Sequence, residues 1–212
     1  MGGRGGGSSG GGASGGVNPA NIGDTTSLIS ARERYQEEVD ATLSVLRDVQ
    51  DRYGVIVTDA QLAELSGKDS NVMAYYDAVG NLAVNTKYFD SGKMDAAYDD
   101  CVKTGFHPGR GNKSGMEAVV SHEMGHRLTD AAGERAGYGS WQLDTVARGM
   151  VQRAAKATGY GQNMTAFTAK ISGYAKGNWA EAVAEAFSDV YCNGSRARRE
   201  SRALVAELDK YF

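Results

Sequence analysis

The chain has 212 residues and carries 23 Lys and Arg against 26 Asp and Glu, a formal charge of −3. A slightly acidic chain is a poor general binder of polyanions, so nucleic acid is not an expected partner. Hydrophobic residues make up 41%, enough at this length for one domain with a real core. No apolar run approaches the roughly 18–20 residues that span a bilayer, so no membrane partner is expected either.

Glycine is unevenly spread: ten of the first sixteen residues are Gly, and the stretch to residue 27 has no hydrophobic periodicity. Such a segment cannot offset its ordering entropy. Residues 1–27 are therefore expected to form a flexible tail ahead of a single domain over 28–212. No secretory signal is visible, which favours a cytoplasmic location. Cys101 and Cys192 are too few for a disulfide framework and read as two reduced thiols.

Ser30 and Glu33 stand at capping-box spacing. Behind them Tyr35, Val39, Leu43, Leu46, Val49 and Tyr53 recur at steps of three and four, which predicts one long helix ended by Gly54. Residues 55–57 read as a short buried strand and 59–65 as a short helix. The runs 72–76 and 82–85 flank Gly80-Asn81 in the pattern of a β-hairpin with a tight turn. Further helices are expected over 93–103, 116–131, 141–158, 163–171, 178–193 and 197–211, with a loop at 106–115. The fold class is thus α+β, helix-rich, with a small antiparallel sheet ahead of the helix at 116–131.

That helix carries His122-Glu123-Met124-Gly125-His126. Residues i and i+4 lie one above the other on a helix, so both imidazoles can grip one ion. Glu123 then stands beside the fourth coordination position, as in the zinc metalloprotease signature. With 3 His in the whole chain, chance would supply this pattern roughly 0.002 times, so it is taken as signal. A catalytic zinc wants a third protein ligand. His107, on a loop with Pro108 and Gly109, reads as a structural or cleft-lining residue more than as that ligand. The helix at 178–193 is mostly apolar, yet Glu181, Glu185 and Asp189 form one acidic stripe at i, i+4 and i+8. Buried carboxylates need a positive partner, and a metal held by two neutral imidazoles supplies one. Glu181 is read as the ligand and Glu185 as the carboxylate that orients a histidine, with the opposite assignment still open. Arg196, Arg198, Arg199 and Arg202 read as a solvated helix face.

The pentad, together with Tyr174-Ala175-Lys176-Gly177-Asn178-Trp179-Ala180-Glu181-Ala182-Val183-Ala184-Glu185-Ala186-Phe187, resembles the zincin metallopeptidases of the anthrax lethal factor type. The resemblance implies His122, His126 and Glu181 as zinc ligands and Glu123 as the base. It also implies Tyr174, seven residues before Glu181, as the oxyanion stabiliser. The wider stretch runs from Asn85-Thr86-Lys87-Tyr88-Phe89 through Gly105-Phe106-His107-Pro108 to Asn193-Gly194. It is similar to zincin-like domains encoded by bacteriophages and prophages, some of them at the C-termini of minor head proteins. The expectation is a zinc-dependent, gluzincin-like endopeptidase acting on a protein or peptide that adds alongside the 72–85 hairpin. The alternatives are a virion- or head-associated protein, with phage structural proteins as partners, that keeps the fold without catalysis, and a toxin-like effector protease.

Overall fold

The structure, a computed structural model, describes residues 23–139 and 143–212. Residues 1–22 of the expected tail, and the start of the helix expected over 141–158, lie outside the described residues. Residues 23–27, placed in the tail by their composition, belong to the fold. The Asp24 N–H donates to Thr58 O at 3.2 Å, and its carbonyl accepts from the Ala60 N–H at 2.7 Å. Helix α1 (Thr26–Ser30) follows and buries Leu28 completely. One leucine and one backbone bridge anchor this segment, too little to leave a periodic signal.

Ser30 ends α1 instead of starting the next helix, and its hydroxyl donates to Ser27 O at 2.7 Å. Helix α2 (Gln36–Tyr53) begins after Tyr35 with no side-chain cap. Its expected inner face is correct: Val39, Leu43, Leu46, Val49 and Tyr53 are all buried. Gly54 closes it in the left-handed region, φ 67°, where its N–H donates to Gln50 O.

The sheet is mixed, not antiparallel. Strands β1 (Asp59–Ala63), β2 (Ala74–Tyr76) and β3 (Asn81–Asn85) lie in the order β1-β3-β2. β1 runs parallel to β3, and β2 antiparallel to it. β1 occupies the place where a helix was expected. Its Ala, Gln and Leu favour helix by propensity, but β3 on one side and Asp24 on the other satisfy its backbone, and tertiary pairing wins. Residues 55–57 form no strand: Val55 and Val57 are buried, while the Ile56 carbonyl accepts from Arg127 Nε at 2.8 Å. The expected hairpin forms, but β2 begins only at Ala74, and its turn lies over residues 77–80 with Asn81 already in β3, in place of a Gly80-Asn81 turn. Asp77 Oδ1 builds its turn by accepting from the N–H groups of Val79 and Asn81, at 3.0 and 2.9 Å.

Helices α3 (Ser91–Lys103), α4 (Gly115–Arg135), α5 (Leu143–Ala157), α6 (Met164–Thr168), α7 (Trp179–Asn193) and α8 (Arg199–Leu208) fall within a few residues of their expected bounds. A capping box starts α4. Ser114 Oγ accepts from the Glu117 N–H at 3.1 Å, and Glu117 Oε2 accepts from the Ser114 N–H at 2.9 Å. Met116, Val120, Met124 and Leu128, spaced by four, bury one face of α4 and fix its rotation.

α4 packs face to face against α7 at the centre of the molecule. Gly125 makes this approach possible, because a Cβ there would stand 2.6 Å from the Cα of Ala184. That neighbour is backbone and cannot turn aside. Gly125→Ala should therefore force the helices apart and cost about 1–3 kcal/mol, read as a lower Tm. An unchanged Tm would show that α7 can retreat freely.

Candidate metal centre

α4 and α7 each contribute two residues at i, i+4 spacing, and their packing turns the pairs toward one another. His122 and His126 leave α4 on the face away from its buried methionines. Asn178 caps α7 by accepting from the Glu181 N–H at 2.8 Å, which places Glu181 in the first turn opposite the imidazoles. Ser121 and Ser188 hold the two helices in register, Ser188 Oγ donating to Ala118 O at 2.9 Å.

Glu181 Oε2 lies 3.2 Å from His122 Nε2 and 3.4 Å from His126 Nε2. One donor atom from each of the three residues lies within 4.8 Å of the others, so His122, His126 and Glu181 could hold a metal ion. Glu181 Oε2 is buried and has no hydrogen-bond partner. An orphaned carboxylate oxygen between two imidazole nitrogens is a donor set that a cation completes. Burial pushes the Glu181 carboxyl up, but the two imidazoles outweigh it and hold the group well below the usual carboxylate range. Burial likewise opposes charge on His122, yet Glu181, Glu185 and Glu123 raise its pKa well above the histidine norm.

Glu185 sits one turn deeper in α7, 1% exposed. Its Oε1 lies 2.8 Å from His122 Nδ1 and 2.8 Å from His107 Nδ1. The His107 contact is a formed hydrogen bond; the His122 contact is close but bent, leaving Nδ1 without an in-line acceptor. Burial raises the Glu185 carboxyl and the two imidazoles more than reverse this, to about 2. Asp189, third in the acidic stripe, stays out of the centre. It accepts from Asn193 Nδ2, the Arg198 N–H and Ser201 Oγ and so closes the turn into α8. Two of the neighbouring arginines are engaged locally: Arg202 donates to the carbonyls of Ser195 and Ala197, and Arg199 to Thr158 O and Glu200 Oε1.

Tyr174 enters on a short 3-10 turn, Tyr174–Lys176, tied down by its N–H to Phe106 O at 3.0 Å. Its ring stacks on His122, 5.7 Å between centroids at 17°, and on Phe106, 4.8 Å at 26°. Burial and the charges of Glu181 and Glu123 push its phenol far above the usual tyrosine value. Glu123, 7% exposed, lines a cleft of about 390 Å³ with both histidines, Glu181 and Tyr174. A second recess of about 230 Å³ continues past Tyr174 to His107. Cys192 is buried, its thiol pushed by burial up to about 12, and neither cysteine joins the cluster.

His107 lines the recess, as its loop position suggests, but nothing in the spacing brings it to Glu185. Nothing in the sequence marks Phe106 as the ring that backs Tyr174. Comparison with protein-family models, with curated proteins and with solved structures finds no match. Function is therefore read from the chemistry of the site.

Proposed function

We propose that this protein is a zinc metallopeptidase of the zincin type, cleaving internal bonds of a protein or peptide substrate. Donor spacing carries the proposal. Two donors about 2.05 Å from a tetrahedral zinc stand about 3.3 Å apart, and Glu181 Oε2 lies 3.2 and 3.4 Å from the two imidazole nitrogens. Three protein ligands leave a fourth position open, as a catalytic zinc requires and a closed structural site does not.

When bound, zinc supplies a Lewis acid that polarises the scissile carbonyl and acidifies a water molecule. His122, His126 and Glu181 hold it. Glu123, beside His122 on α4, accepts the proton of the attacking water and returns it to the leaving amine. Tyr174 donates its phenolic hydrogen to the carbonyl oxygen as negative charge develops there. β2 is an edge of the sheet, and Ala74, Tyr75 and Tyr76 border the cleft, which suits an extended substrate added as a further strand. A metal-free scaffold role gives no reason for the orphaned Glu181 oxygen.

Purified protein should carry about one zinc per chain and cleave members of a peptide library. A chain that takes up no divalent metal and cleaves nothing refutes the proposal. Tyr174→Phe should lower kcat by roughly ten- to a thousandfold with KM and zinc content little changed. Activity within about twofold of wild type would reduce Tyr174 to a packing residue.

A further inference from the structure

We propose that His107 is a positioning residue of this centre, acting through Glu185 to hold His122 in the metal-binding orientation. The inference rests on the metal-centre reading above. Glu185 comes from α7 and His122 from α4, and His107 reaches the same carboxylate from a third direction, the loop between α3 and α4. Oε1 of Glu185 lies 2.8 Å from Nδ1 of each ring. An ionised carboxylate only accepts, so the hydrogen-bonded Nδ1 of His107 carries its hydrogen, and the close, bent contact favours a hydrogen on Nδ1 of His122 as well. In His122 that leaves the lone pair on Nε2, on the side of Glu181 Oε2, which is the tautomer a metal needs.

A buried carboxylate with one partner could swing about its terminal torsion and would carry an uncompensated charge. The hydrogen bond from His107 restrains that torsion and gives the buried oxygen a donor. The His107 ring is itself locked: it lies flat on Tyr98, 5.2 Å between centroids at 4°, and meets Phe106 and Tyr174 edge-on. Tyr98 is tied in turn by its hydroxyl, which donates to Pro108 O at 3.1 Å. The chain Tyr98–His107–Glu185–His122 therefore transmits the rigidity of the core to one metal ligand.

Three substitutions separate this role from simple ring packing. His107→Asn places an amide N–H near the position of Nδ1, His107→Phe keeps the ring on Tyr98 but donates nothing, and His107→Gln carries its amide too far out. Zinc affinity is measured by competition with a chromophoric chelator, and the absorption spectrum of bound cobalt(II) reports ligand geometry. His107→Phe and His107→Gln should weaken zinc binding by about 10–100-fold and shift the cobalt spectrum, while His107→Asn stays within about threefold of wild type. The proposal is overturned if His107→Phe binds zinc like the wild type, or if His107→Asn loses as much as His107→Gln. A wild-type chain that takes up neither zinc nor cobalt overturns the metal centre itself, and this proposal with it.

Discussion

Glu123→Gln should keep the metal and the fold yet slow peptide hydrolysis by about 10²–10⁴-fold. The substitution changes almost no volume, so the packing of α4 is undisturbed. What it removes is a group able to accept a proton from water and deliver it to the departing nitrogen. Glu123 lines both the cleft beside β2 and the recess that ends at His107, and shares each lining with His122 and Tyr174. Its charge already acts on the site, since it contributes to the raised pKa values of His122 and Tyr174. Zinc content and kcat/KM measured on the same preparation separate the possible results. Loss of metal along with activity would make Glu123 a support of the ligands and not the base. Full activity with metal bound would assign the proton transfer to another group.

The parts of the centre that were legible in the sequence share one property: they are written in the helical period. His122 and His126, and Glu181 and Glu185, each repeat at i, i+4, and a strongly patterned helix converts that spacing directly into geometry. Period also explains why Asp189 read as a third member of the stripe. It lies on the same face of α7, but beyond the centre, where the turn into α8 engages it. Elements fixed by long-range partners were not legible. β1 has the composition of a helix and becomes a strand because β3 and Asp24 flank it. Ser30-Glu33 and Ser114-Glu117 have the same capping-box spacing, and only the second forms, because only there does a helix begin. His107 reaches Glu185 across 78 positions of sequence, with no period to connect them.

Glu181→Gln should cost more zinc affinity than Glu185→Gln, and this order decides an assignment that spacing alone left open. A residue that only orients a ligand is worth about 10–100-fold in metal affinity, and a direct ligand should exceed that. The two glutamates face different nitrogens. Glu181 Oε2 lies against Nε2 of both His122 and His126, where an ion would sit, and it has no hydrogen-bond partner of its own. Glu185 Oε1 lies against Nδ1 of His122 and His107, on the far side of the His122 ring from that point. An amide at 181 takes away the negative charge that faces the cation and leaves a weaker neutral donor. An amide at 185 can keep its oxygen where Oε1 faces both rings, but it loses the negative charge that makes the carboxylate a strong acceptor for them. Glu185→Gln should therefore fall within the 10–100-fold range, about 1.4–2.7 kcal/mol, with zinc still bound at stoichiometric concentrations. The opposite order, with Glu185→Gln releasing zinc and Glu181→Gln keeping it, would exchange the two roles and move the ion toward His107.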